Sequence, residues 1–279
     1  MNFISKLKKR WDSADSLLCV GLDPQIDRIP EVLRSKHSPY FEFCKEIVDA
    51  THEFVCAFKP QAAYFSAVGA EKELEELISY IKNVYPEIPV ILDAKRGDIG
   101  STAALYAQEA YQRYGADAVT VNPYLGFESI EPYMNYSDKG IVVLCRTSNA
   151  GSDWLQKSET DSIPVYQRVA QQVAEWNQAE QFILVTGATY PEELGRVRQI
   201  VGDMPLLVPG IGAQGGDIEA VLKNGLNKES TGLIISSSRE ILYAHEKVEH
   251  LVDISQGLTA SRQVAIDTMK SINKYRNTL

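Results

Sequence analysis

The chain has 279 residues, 44% of them hydrophobic and 23% charged, with a formal net charge of −9. That balance excludes a disordered chain, supplies ample core material and argues against nucleic acid or an anionic membrane as the main partner, since a negative surface repels a polyanion. A single domain over 1–279 is expected, because α/β barrels fill this length as one unit.

The first residues, MNFISKLKKRWDSADS, carry a basic stretch, but the polar WDSADS after it is no signal-peptide core, and no later apolar run could span a bilayer. Cys19, Cys44, Cys56 and Cys145 sit inside apolar runs without CxxC spacing, as reduced core cysteines do. A cytoplasmic protein is expected.

Eight apolar segments then follow in order: LLCVGLD (17–23), CAFKPQ (56–61), PVILDAK (89–95), AVTVNP (118–123), GIVVLCRTSN (140–149), FILVTGAT (182–189), PLLVPGIG (205–212) and TGLIISSSR (231–239). Each is nearly continuous rather than alternating, the pattern of parallel strands covered on both faces. Helical patterns separate them. Phe43, Ile47, Ala50 and Phe54 form a stripe after Ser38-Pro39, and Leu74, Leu77, Ile78 and Ile81 form another. Ser101 or Thr102 is expected to cap a helix running through Tyr114, and Asp217 to cap one that stops at Gly225. The order predicts a (β/α)8 TIM barrel with short N-terminal and C-terminal helical extensions; an open doubly wound sheet is the weaker alternative. The longest irregular stretch, 148–166, follows the fifth strand and reads equally as a lid or as a solvated insertion.

Catalytic groups of such a barrel gather at the carboxyl ends of its strands. The residues there are Asp23, Lys59, Gln61, Asp93, Lys95, Asp98, Asn122, Ser148, Thr189, Gln214 and Arg239. Asp93 and Lys95, two apart on a strand, are expected to share a face, with Asp98 in the turn beyond. Whether Asp98 folds back on Lys95 or reaches a neighbouring subunit is open from spacing. Two carboxylates beside one lysine favour its ammonium form, so Lys95 reads as a proton donor. A salt-bridge cluster closing the barrel mouth is the plain alternative, but ionised groups gathered in one cleft are costly unless used.

PGIGAQGGD (209–217) supplies free backbone N–H groups before a helix, and SSSR supplies the Arg239 guanidinium, as at the usual barrel phosphate site after strands seven and eight. His37, His52, His245 and His250 lie in or beside predicted helices without metal-ligand spacing, and neither a GxSxG elbow nor a GxxxxGK[ST] loop occurs.

LDAKRGDIGST resembles the Asp-x-Lys-x-x-Asp-Ile-x-x-Thr signature of the orotidine 5'-phosphate decarboxylase family, and VGLDP, FKPQAAYF, TVNPYLG, LCRTSN and PGIGAQGGD resemble its longer, type 2 branch. The likeness runs from about 17 to 239. It implies a homodimeric barrel with shared active sites, a carboxy-lyase that converts orotidine 5'-monophosphate to uridine 5'-monophosphate and carbon dioxide without metal or organic cofactor, in the last step of de novo pyrimidine synthesis. It further implies Lys95 as proton donor, Asp93 near the departing carboxylate, and Asp98 with Thr102 reaching the partner's site. Lys59, Asp23 and Gln61 would serve the ribose and charge network, Thr147 and Ser148 the pyrimidine edge, Pro209 the base pocket, and Gln214 with Arg239 the phosphate. Three alternatives remain beside it: a magnesium-dependent sugar-acid phosphate decarboxylase on the same barrel, a Schiff-base aldolase using Lys59 or Lys95, and a non-catalytic phosphate-ligand binding protein.

Overall fold

Residues 1–211, 217–248 and 253–278 are described by the computed structural model. The eight apolar segments form parallel strands: β1 Leu18–Leu22, β2 Ala57–Pro60, β3 Ile91–Arg96, β4 Ala118–Val121, β5 Gly140–Arg146, β6 Phe182–Thr186, β7 Leu206–Pro209 and β8 Leu233–Ser237. Every residue of β1, β2, β4, β6 and β8 is buried, which is why these runs show no polar alternation. The ladder runs β2-β1-β8-β7-β6-β5-β4-β3, and the bridges Phe58–Val90 and Gln61–Asp93 join its two ends. This is the (β/α)8 barrel.

The helices that surround and extend the barrel include α1 Phe3–Ala14, α2 Pro39–Thr51, α3 Glu71–Val84, α4 Gly100–Gln108, α5 Val165–Trp176, α6 Pro191–Val201, α7 Ile218–Gly225, α8 Arg239–Leu242 and α9 Ile254–Arg276. Phe43 and Ile47 of α2, and Leu74, Leu77, Ile78 and Ile81 of α3, are buried against the strands as their spacing predicts. Asp217 caps α7 by accepting from the Ala220 N–H at 3.3 Å, and that helix ends at Gly225.

The start of α4 differs from expectation. It begins at Gly100, with φ of 56°, and neither Ser101 nor Thr102 caps it; both are exposed in the first turn. The Asp98 carboxylate has already taken the preceding Ile99 N–H at 2.8 Å, and only glycine enters the left-handed turn freely. The helix then loosens into a π-turn over Glu109–Arg113 before Tyr114. Segment 148–166, expected to be irregular, holds a 3-10 turn at Ala150–Ser152, a helical turn at Asp153–Gln156 and a small hairpin pairing Glu159–Thr160 with Ile163–Pro164.

α1 lies against the amino-terminal end of β5. A Cβ on Gly140 would stand 2.6 Å from the Phe3 ring, so glycine there admits the aromatic side chain. At the other end of the chain, Arg276 of α9 pairs with Asp15 at 3.1 Å and donates to the Ser230 carbonyl at 2.6 Å. Phe3 belongs to the same continuous core as the strands. Phe3→Ala should therefore lower unfolding free energy by about 3 kcal/mol, read from urea denaturation, because a buried aromatic leaves a cavity that a packed barrel floor cannot collapse.

Candidate active site

The carboxyl ends of β1, β2, β3 and β8 open on one chamber of about 170 Å³ lined by Asp23, Lys59, Gln61, Asp93, Pro209, Ser236, Ser237 and Arg239, among others. Lys59, Asp93 and Pro209 also wall a second, more apolar chamber of about 400 Å³, bounded by Lys95, Thr120, Leu144, Thr147, Ser148, Gln156 and Leu207. Asp93 thus stands at the junction, with both oxygens engaged. Oδ2 accepts from Lys59 Nζ at 3.0 Å, while Oδ1 accepts from Lys95 Nζ at 2.6 Å and from Thr120 Oγ1 at 2.9 Å.

Electrostatics follow from this packing. Burial opposes ionisation of Asp93, yet Lys59 and Lys95 overcome it and hold the carboxyl well below the usual carboxylate range. Burial likewise works against the Lys59 ammonium, and Asp93, then Asp23, hold it above its ordinary value. Asp23 makes no direct ion pair with Lys59, and its Oδ1 is buried without a hydrogen-bond partner among the described residues. Its backbone is pinned instead: Tyr243 Oη donates to the Asp23 carbonyl at 2.9 Å and accepts from the Gln25 N–H at 2.8 Å. The Cys19 and Cys145 thiols are pushed up to about 12 by burial, so neither offers a thiolate.

Lys95 reaches the mouth by a route the two-residue repeat did not indicate. Its φ is +47°, in the left-handed region that a lysine enters only at a cost, and β3 bulges so that the step from Leu92 to Arg96 matches the step from Val119 to Val121. Thr120 holds the bulge: its Oγ1 accepts from the N–H groups of Ala94 and Lys95, both at 2.9 Å, and donates to Asp93. Lys95 is half-exposed, its ammonium facing the larger chamber.

The other expected residues divide. Gln61 lines the polar chamber, Thr147 and Ser148 the apolar one, and Pro209 both. Arg239 opens α8 with its guanidinium free of hydrogen bonds and ion pairs among the described residues, at the rim of the polar chamber. Within one chain, Asp98 and Thr102 do not join the Lys95 cluster. Asn122 serves its own turn, accepting from the Tyr124 N–H at 3.0 Å, and Thr189 donates to the Ser148 carbonyl at 3.1 Å. Gln214 lies outside the described residues, as does His250. His245 lies in the 3-10 turn Ala244–Lys247, a helical segment as expected, and is buried beside Phe43 and Tyr243.

Sequence reasoning missed Thr120, Gln156, Ser236, Ser237 and Arg146. Arg146, at the end of β5, is wholly buried and binds Glu193, Asp153 and Ser152 behind the apolar chamber. An arginine at a strand's last position was a signal, though one that points to a group facing substrate; a threonine inside AVTV, itself a strand former, gave none.

A closed parallel barrel with ammonium and carboxylate groups packed at its strand ends, beside a chamber edged by the Arg239 guanidinium, defines a (β/α)8 barrel of the acid–base type. The model of the orotidine 5'-phosphate decarboxylase / HUMPS family matches residues 16–254. The chain belongs to that family. It is 55% identical over 278 residues to an orotidine 5'-phosphate decarboxylase of Ralstonia pickettii (strain 12J), covering 99% of this chain and 100% of the relative. A protein of the same name from Cellvibrio japonicus (strain Ueda107) is 54% identical over 279 residues, again covering 99% and 100%. The solved OMP decarboxylase of Leishmania donovani superposes with a TM-score of 0.84 at 37% identity, covering 99% of both chains.

Asp93→Asn should destabilise the fold by about 3 kcal/mol, because it strands the buried Lys59 ammonium. The pH dependence has a defined sign. The folded pKa of Asp93 is depressed, so its contribution is present above about pH 4 and is lost as pH falls through the folded value; that of Lys59 is raised, so its contribution is present below about pH 10 and is lost as pH rises through the folded value. Chemical denaturation of wild type against the variant should give its full difference near neutral pH and a narrowing one as pH rises, because Lys59 without Asp93 gives up its proton more readily.

Proposed function

We propose that the protein decarboxylates orotidine 5'-monophosphate to uridine 5'-monophosphate and carbon dioxide in pyrimidine biosynthesis. The observation that carries the reading is the Asp93 carboxylate held between Lys59 and Lys95 where the polar and apolar chambers meet. The phosphate and ribose fit the polar chamber, with Arg239 gripping phosphate oxygens and Lys59, Asp23 and Gln61 facing the sugar. The pyrimidine fits the larger chamber, its edge toward Thr147 and Ser148 and its face on Pro209.

The chemistry then runs through two side chains. When the bond from C6 to the carboxylate carbon breaks, carbon dioxide leaves and the electron pair stays on C6 in the ring plane, outside the π system. The Lys95 ammonium stabilises that charge as it develops, then transfers its proton to C6, and solvent returns a proton to the amine. Asp93 fixes the ammonium and stands near the departing carboxylate. Both Asp93 oxygens are already taken by cations and Thr120, which favours this reading over magnesium-dependent decarboxylation. A Lys95 amine paired with a carboxylate at 2.6 Å is likewise a proton donor rather than the neutral nucleophile of a Schiff-base aldolase.

Homodimerisation with shared sites and a cytoplasmic location belong to the same reading. Ile99, Leu105, Tyr124 and Leu125 are exposed apolar side chains near Asp98 and Thr102 in the chain or its neighbouring turns, and the cysteines are free and buried. Among the described residues no helix is long and apolar enough to cross a membrane.

The deciding experiment follows the ultraviolet absorbance of orotidine 5'-monophosphate with purified protein in excess chelator. Steady conversion is expected; loss of activity would favour the metal-dependent alternative. Lys95→Ala should abolish turnover with the fold retained, while Arg239→Ala should raise KM more than it lowers kcat. If sites are shared, mixing inactive Lys95→Ala and Asp98→Ala chains should restore up to about a quarter of wild-type activity through hybrid dimers. No recovery after verified subunit exchange would place Asp98 outside the partner's site.

A further inference from the structure

Among the described residues, Arg146 is the bulkiest fully buried charged side chain, and the proposed chemistry does not use it. Its side chain is fully buried at the carboxyl end of β5, where this fold puts functional groups, yet it lines neither chamber. Its partners come from separate elements. Nε donates to Glu193 in the first turn of α6, Nη2 to Asp153 Oδ1 at 2.6 Å, and Nη1 to Ser152, while the guanidinium lies over the Tyr190 ring at 3.8 Å from its centroid. One cation therefore joins the strand end, the loop after it and the helix after β6.

The same guanidinium also reaches the chamber wall through one amide. Arg146 Nη1 donates to Gln156 Oε1 at 3.3 Å, and that oxygen also accepts from the Thr147 N–H at 2.9 Å. With Oε1 fixed there, Gln156 Nε2 donates to Thr147 Oγ1 at 2.9 Å, and the Thr147 hydroxyl is left to donate to Asn149 Oδ1 at 2.7 Å. The order of donors and acceptors along this wall is thus set by two groups that accept nothing, the Thr147 N–H and, from behind, the Arg146 guanidinium, with Oε1 also 3.3 Å from the Thr147 hydroxyl. Ser148 is pressed against Gly187, where any Cβ would stand 2.6 Å from the serine Cα, so the segment has little room to readjust.

We propose that Arg146 is a positioning residue that fixes the polarity of the Thr147–Ser148–Gln156 wall and so sets recognition of the pyrimidine edge. A pyrimidine edge presents carbonyl acceptors flanking an N–H donor, and a wall whose amide and hydroxyls can flip would match it only part of the time. The inference rests on the assignment of the base to the larger chamber.

The test compares inhibition constants of uridine 5'-monophosphate, which carries the base, and ribose 5-phosphate, which does not. For Arg146→Met, uridine 5'-monophosphate should bind about tenfold more weakly, the scale of one buried hydrogen-bond set lost, with ribose 5-phosphate unchanged. Arg146→Lys, which keeps the charge, should recover part of the loss. Equal weakening of both ligands would mean that Arg146 only supports the fold, and unchanged uridine 5'-monophosphate binding would remove it from recognition; either result overturns the proposal. Asp153→Asn alters the same knot at a half-exposed partner. It should give the same pattern at about threefold and decides the matter if Arg146→Met does not fold. Ser148→Ala separates the two readings. If it weakens uridine 5'-monophosphate binding and the Arg146 and Asp153 variants do not, the positioning role alone falls; if it has no effect either, the base chamber is wrongly assigned and the proposal falls with it.

Discussion

A carboxylate with two ammonium groups on it, in a place almost closed to water, is the constraint around which this barrel is arranged. Asp93 cannot be neutralised there without leaving Lys59 buried and unpaired, and Lys59 cannot be removed without leaving the carboxylate poorly compensated. Local backbone geometry bends to that requirement. The β3 bulge, the left-handed Lys95 and the three hydrogen bonds of Thr120 Oγ1 have a common effect, which is to bring a second cation onto Asp93 Oδ1 without a glycine at the bend. Strain in the main chain is thereby offset by side-chain electrostatics a few ångströms away.

The two chambers divide the work of binding. The polar one ends at a guanidinium with no partner among the described residues, suited to an anion that arrives from solvent. The larger is lined by the apolar Leu144, Val185, Leu207 and Pro209 together with hydroxyl and amide groups, suited to a flat ring with a polar edge. On the proposed assignment, grip on the remote anion would help place the ring against Lys95, so that binding energy from unreactive groups contributes to the chemical step.

Much of this was legible in the residues because a parallel barrel brings strand ends to one face regardless of loop detail. Asp23, Lys59, Asp93 and Lys95 each close an apolar run, and their convergence needs only that eight such runs form a ring. Thr120 was not legible: a threonine inside AVTV reads as a strand former, and only the bulge beside it shows why its hydroxyl is there. Arg146 was hidden for the opposite reason, since a charge ending a strand suggests a group that faces substrate, whereas this one turns away. The failed cap at Ser101 and Thr102 has a local cause in Asp98, which intercepts the backbone one residue earlier. The segment after β5 looked irregular because its order comes from a guanidinium behind it rather than from its own periodicity.

The join between β2 and β3 has a wider meaning. Where the other neighbours pair as strand ladders, these two meet through the isolated bridges Phe58–Val90 and Gln61–Asp93, and the Lys59–Asp93 ion pair spans the same join. The proposed reactive centre is therefore also the clasp of the ring, so that a change which loosens one ion pair there would open the cylinder and disturb the candidate site together.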